Sequence, residues 1–156
     1  MCLLNKNRKG KYVADSAIEN KKIEFLEANL NPFDYLFGGM LLQIAGKYGI
    51  ETAKSHIETD CKATDIIQMK FYHPIKRGDT LYCSTSVNNA WKKTLEVGIK
   101  IMAEDFRLLE QKEIVSAYFI YQVIDKEEIP YLIPKTIDEK RRFFQADKRK
   151  SQRLTS

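Results

Sequence analysis

Cysteine is scarce in this sequence: Cys2, Cys61 and Cys83 are the only three in 156 residues. They form no CxxC pair, and an odd count gives no disulfide framework. A reducing cytosol is therefore the expected compartment. Long apolar runs are also missing, since none approaches the ~20 residues that span a bilayer. Met1-Cys2-Leu3-Leu4 meets Asn5, Lys6 and Arg8 before a signal-peptide core can form. The expectation is a chain neither secreted nor membrane-spanning by its own signals. Two histidines and dispersed cysteines make no metal-ligand cluster, and neither a Walker loop nor a dinucleotide glycine fingerprint occurs.

What is present suits one folded domain: 44% of residues are hydrophobic and 30% charged. The net charge of +5 is placed unevenly. From Lys135 onward, eight basic residues face Asp138, Glu139 and Asp147, which accounts for the whole excess. The preceding 134 residues are balanced, whereas a nucleic-acid-binding body would carry the basic excess itself. Nucleic acid is thus not the expected partner, and residues 135–156 read as a solvated basic helix or tail.

Residues 1–22 show no periodicity and read as a flexible lead-in. Ile23 to Leu30 alternates well enough for a short strand. Asn29 to Tyr35 has the composition of a turn. After Gly38-Gly39, Met40, Leu41, Ile44, Ala45 and Tyr48 recur at helical spacing, which predicts a helix continuing to about His56. Four strands are predicted next, over 66–73, 80–87, 95–103 and 114–124. The third alternates most regularly and reads as half-exposed, with Glu96, Gly98, Lys100 and Met102 outward. The fourth is apolar on both parities and belongs inside a sheet. The order gives an α+β domain over 23–134 with a five-stranded antiparallel sheet and one long helix. A helix ~10 Å wide cannot cover five strands spaced ~4.8 Å apart, so at least a homodimer is expected.

Three segments carry a family likeness. Asn31-Pro-Phe-Asp-Tyr-Leu-Phe-Gly-Gly-Met-Leu-Leu opens the helix, Phe71-Tyr-His-Pro-Ile-Lys-Arg-Gly-Asp79 forms a turn, and Lys92-Lys-Thr-Leu-Glu-Val97 opens a strand. In their order and separations they resemble the hot-dog-fold acyl-CoA thioesterases of the acyl-CoA hydrolase type, from about Phe25 to Pro134. The resemblance implies a five-stranded antiparallel sheet wrapped around the helix, acyl-CoA as substrate, and hydrolysis to free acid and CoA. It implies no metal and no redox cofactor, coenzyme A entering only within substrate and product. It also implies a homodimer, with a trimer of dimers as the larger assembly.

The helix start suits this chemistry. Backbone N–H groups of Gly38 and Gly39 would offer unpaired donors and the positive dipole end to a developing oxyanion, with no side chain in the way. The alternative is that the two glycines only ease packing. The resemblance places Asn31 and Gly39 among the catalytic positions and assigns CoA phosphates to Lys92 and Lys93, with Thr94 beside them and Arg77 on the neighbouring turn. Three positions depart from the family. The helix carboxylate, seven residues past the second glycine, is replaced by Gly46; the glycine after the family's Asn is Asp34; the glycine before the strand-opening cation is Trp91. Asp34, in the turn itself, is the candidate substitute carboxylate, the alternative being an ordinary turn former, and Glu51 reads as a solvated helix residue. Gly46, Gly49 and Ala53 make a small-residue stripe that would admit a partner backbone or a slender acyl or pantetheine chain. Two rivals remain: a sensor that binds acyl-CoA or acyl carrier protein without turnover, and a basic-tailed RNA-associated or scaffolding protein. A Cys/His pair of Cys61 and His56 has no orienting third group.

Overall fold

The structure is a computed structural model and describes residues 8–24, 30–32 and 38–155. Five strands form the main sheet: β2 (Ile18–Ile23), β3 (Cys61–Phe71), β4 (Thr80–Ala90), β5 (Thr94–Glu104) and β6 (Gln111–Val123), in the order β2-β4-β5-β6-β3. All neighbours pair antiparallel. Helix α1 (Gly38–Ile57) lies across one face. β1 (Gly10–Tyr12) and β7 (Tyr131–Ile133) pair in parallel as a small separate sheet, and α2 (Ile137–Thr155) closes the chain. This is the hot-dog arrangement expected from the sequence.

α1 forms where the 3.6-residue period predicts it. Leu41, Ile44, Ala45, Tyr48, Thr52, Ala53 and His56 face inward and meet inner-face residues such as Leu81, Cys83, Ile99 and Tyr121. Fully burying a side chain of this size contributes roughly 1.5–3 kcal/mol. Thr52 and Thr85 bridge helix and sheet by a buried hydroxyl bond. At the helix C-terminus, Lys11 Nζ donates to the Ser55 carbonyl at 2.7 Å and pairs with Glu58 at 3.1 Å, answering acceptors that the helix leaves open.

Several expectations need correction. The first strand of the sheet is Ile18–Ile23, not 23–30, and residues 25–29 lie outside the described residues. Only Ile23 of that strand is buried; Glu19, Asn20, Lys21 and Lys22 face outward, so no alternation marks it. The lead-in expected over 1–22 holds β1, a 3-10 turn at Val13–Asp15 and most of β2 in its described part. β3 starts five residues earlier than predicted because 62–66 are exposed on this edge strand and lack a period-two signal. The small-residue stripe on α1 also splits. Gly49 and Ala53 are buried, whereas a Cβ at Gly46 would meet nothing within 4 Å among the described residues.

The basic tail is not a solvated appendage. Thr136 and Glu139 form a capping box, Thr136 Oγ1 accepting from Glu139 N–H at 3.0 Å and Glu139 Oε2 from Thr136 N–H at 3.1 Å. The helix that follows docks on the outer sheet face. Asn89 Nδ2 donates to Phe143 O and Asp147 Oδ1, Ala146 is fully buried, and Arg149 pairs with Glu96. Glu96, read as outward and exposed, does point to the outer face, but α2 covers it completely.

Candidate functional site

Gly38 and Gly39 begin α1 and are exposed, so the backbone donors of the first helical turn have no partner inside the helix. Among the described residues, a Cβ on Gly38 would touch Phe71 Cε1 at 3.9 Å, and one on Gly39 would meet nothing within 4 Å. Packing among the described residues therefore does not demand glycine at 39. An open, side-chain-free helix start is what an incoming anionic oxygen requires.

Arg77 lies at the same end of the sheet, in the turn between β3 and β4. It lines a groove of about 360 Å³ with Lys22, Ile23, Leu30, Gly78 and Thr80. Gly78 has a φ of +90°, and a Cβ there would also strike the Phe106 ring, so this turn needs glycine on two grounds. Asn31 follows Leu30 in the chain and is half-buried. Asp34 lies outside the described residues.

Lys92, Lys93 and Thr94 are not in this neighbourhood. They form the β4–β5 turn and the start of β5, next to Gln122 and Val123 at the far end of β6. Phe71, beside Gly38, pairs with Val115 near the opposite end of that strand. β5 has 11 residues, so the two groups of expected site residues are separated by about one strand length, ~30 Å within one copy. Lys93 is paired with Glu127 at 3.4 Å, an exposed contact, and Lys92 is exposed.

The β4–β5 turn is built more heavily than the sequence suggested. Trp91 Nε1 donates to Asp147 Oδ1 at 3.0 Å, and Arg8 Nη2 donates to the Trp91 carbonyl. Lys150 Nζ lies 4.5 Å from the centre of the Trp91 ring and the Arg153 guanidinium 6.0 Å from it. Asp147, Lys150 and Arg153 are three residues apart, so one face of α2 supplies all three. That spacing was legible, but nothing local says that this face meets residue 91.

His56 and Cys61 are not a nucleophilic pair. His56 is fully buried, and its Nε2 carries the proton and donates to Pro130 O at 2.8 Å. Burial lowers its pKa, partly offset by that bond. Burial raises the Cys61 thiol, and it pushes Cys83 up to about 12 with Glu51 adding to the effect. Neither cysteine is an activated thiolate. No group of three or more metal-ligating side chains gathers among the described residues, and none of their helices is long and apolar enough to cross a membrane.

With these features in place the comparisons are direct: residues 33–110, half of the chain, match the sequence model of the thioesterase superfamily. The chain belongs to the thioesterase superfamily. It is 30% identical over 129 residues to protein VdlD of Helicobacter pylori, covering 81% of this chain and 73% of that one. Among solved structures it is similar to an acyl-CoA hydrolase from Bacillus cereus, with a TM-score of 0.88 and 24% identity over 94% of this chain and 92% of that one. A hexameric acyl-CoA thioesterase gives a TM-score of 0.89 at 20% identity, covering 94% and 96%. At these identities the structural likeness establishes the shared hot-dog fold.

Proposed function

We propose that this thioesterase-superfamily chain hydrolyses acyl-CoA thioesters. Water adds to the thioester carbonyl, the carbon–sulfur bond breaks, and free acid and the thiol of coenzyme A leave. The reading needs no further cofactor. In it, Asp34 activates the water, Asn31 orients water or carbonyl, and the Gly39 N–H faces the oxyanion. Gly38, Gly46 and Arg77 border the substrate, and Lys92, Lys93 and Thr94 meet the CoA phosphates. The observation that carries it is the side-chain-free start of α1 in a chain of this superfamily, and the likeness to acyl-CoA hydrolases supports the choice of substrate. A cytoplasmic setting suits the two free buried cysteines.

The reading also requires a second copy of the chain. One copy keeps Gly39 and Lys92 a strand length apart, whereas two copies joined antiparallel along their β3 edges bring the 92–94 turn of one toward the α1 start of the other. β3 suits that role as an 11-residue edge strand with Ile66 and Phe71 about half exposed. A homodimer is the minimal unit and a trimer of dimers the larger one, as in the similar hexameric thioesterase.

Gly46 favours a second reading, a binder without turnover, because the helix carries a glycine where the resembling family carries its carboxylate, and a Cβ there would meet nothing within 4 Å among the described residues. The deciding measurement is thiol release from a panel of acyl-CoAs, run beside binding of the same compounds. Release that depends on Asp34 supports the hydrolase, and tight binding with no release favours the sensor.

A further inference from the structure

The sheet face away from α1 is built from short side chains. Two registered rows cross β4, β5 and β6 there, Ser84-Lys100-Ser116 and Ser86-Gly98-Tyr118. Three serines and a glycine recess this floor, and residues of α2, β2 and the Val13–Asp15 turn wall it, leaving a hollow of about 690 Å³. That is the size of a small-molecule site. Gly98 makes room for the Asn88 amide, since a Cβ there would lie 2.8 Å from Nδ2 and 3.0 Å from Oδ1. Asn88 lines the hollow and is only 2% exposed. Its Nδ2 donates to Glu96 Oε2 at 2.9 Å, which fixes the orientation of the amide, and its Oδ1 has no partner among the described residues. A buried acceptor of this kind calls for an N–H or O–H donor. Ser86, Arg142 and Gln145 line the same hollow, each half-buried, and make no hydrogen bond or ion pair among the described residues.

We infer that this hollow binds a polyhydroxylated anion, a sugar phosphate or a sugar acid. Arg142 takes the anionic head, because the guanidinium fork fits phosphate and carboxylate alike. Asn88 Oδ1, Ser86 and Gln145 take the hydroxyls, which donate and accept at once. The other charged groups around the hollow leave room for one such head. Arg141 is bonded to Asp138 and Glu139 caps α2, so Lys100 and Arg142 stand against Glu19 and Glu113. Val13, Ala14, Ala17 and Ile18 make one apolar wall against a polar floor, which is no channel for an acyl chain. Tyr118 alone among the lining residues is aromatic, and the Arg149 guanidinium covers one face of its ring at 3.7 Å, so no pair of rings is there to sandwich a base. The site lies across the sheet from α1 and does not depend on the acyl-CoA reading.

The test is isothermal titration of the full-length protein with glucose 6-phosphate, gluconate, glucose and inorganic phosphate at millimolar concentrations. Glucose 6-phosphate or gluconate is expected to bind, the stronger of the two identifying the head group, with glucose and phosphate much weaker. Arg142→Ala is expected to weaken that binding roughly tenfold, the loss of a charge-assisted contact. Ser86→Leu, which raises the floor, is expected to abolish it, and Lys140→Ala, exposed on the same helix, to leave it unchanged. Fluorescence of Trp91, the only tryptophan in the chain, checks that α2 stays docked in each variant. No binding of glucose 6-phosphate or gluconate to the wild type, or undiminished binding in Arg142→Ala, overturns the site. Inorganic phosphate binding as tightly as glucose 6-phosphate overturns the polyhydroxyl assignment. Thiol release from acyl-CoA stands or falls separately from each of these outcomes.

Discussion

Arg149 holds Glu96 through two parallel hydrogen bonds of 2.8 Å, Nε to Oε1 and Nη2 to Oε2, and the carboxylate is fully buried. Asn88 Nδ2 adds a third bond to it at 2.9 Å, and the guanidinium lies 3.7 Å from the centre of the Tyr118 ring. Removing one partner leaves a dehydrated charge uncompensated. Arg149→Ala is therefore expected to lower stability in urea by about 3–5 kcal/mol. Replacing both partners by apolar residues, Glu96→Leu with Arg149→Met, should cost much less, because no buried charge remains. A single variant as stable as the wild type would mean that α2 is not clamped in this way.

His56 makes stability depend on pH. Its folded pKa lies below the unfolded value near 6.5, chiefly because burial disfavours the imidazolium. The unfolded chain therefore binds a proton that the folded chain refuses as pH falls below about 6.5, and stability declines from there downward. Melting temperature followed from pH 8 to pH 5 should show this slope in the wild type and a flatter one in His56→Gln. Parallel curves would remove His56 as the cause.

Gly46 and Gly49 lie on the same helix but should respond oppositely to alanine. A Cβ at Gly46 meets nothing within 4 Å among the described residues, so Gly46→Ala should add about 0.5–1 kcal/mol through helix propensity alone. At Gly49 the new methyl would collide with the Tyr121 hydroxyl and press on Ile99 Cδ1 at 3.1 Å, and Gly49→Ala should destabilise. Tyr121→Phe should relieve part of that loss. Urea titrations of the three variants check the order.

The chemistry is probed by a pair of carboxylate changes. If Asp34 activates water, Asp34→Asn should keep binding and fold while turnover falls by at least ~10²-fold. Gly46→Asp has room among the described residues and places a carboxylate on the helix where the resembling family has one. If Asp34 is only a turn residue, its loss should leave thiol release unchanged and Gly46→Asp should increase it, which would identify a binder descended from a hydrolase.

Legibility in the sequence followed the reach of each signal. α1, β4, β5 and β6 were readable because burial on one face writes a period into the chain. The pattern failed at β2 and at the first five residues of β3, the two edge strands, where polar residues face solvent on both parities. It also failed at Glu96. The alternation placed that residue on the correct face, but only the arrival of α2 decides whether the face is wet, and Arg149 lies 53 residues away. The site was legible as motifs and not as a place. Gly38, Gly39 and Arg77 do share one end of the sheet, while Lys92 and Lys93 proved to lie at the other, because motif order carries no information on which strand end a turn occupies. Asp34 lies outside the described residues, and Trp91 is invisible as a hub until α2 is seen to land on it.

The clamp between Glu96 and Arg149 also orders the making of the molecule. A chain emerging from its N-terminus can pair β4 with β5 and β6 before α2 exists. Until Arg149 follows, Glu96 lies on a sheet face open to water, where its charge costs nothing. Dehydration of that carboxylate thus coincides with the arrival of the last helix and never precedes its partner. A truncation that stops before α2 would leave a sheet able to pair but with the Glu96 face wet, Asn89 without Asp147, and the indole of Trp91 without its anchor.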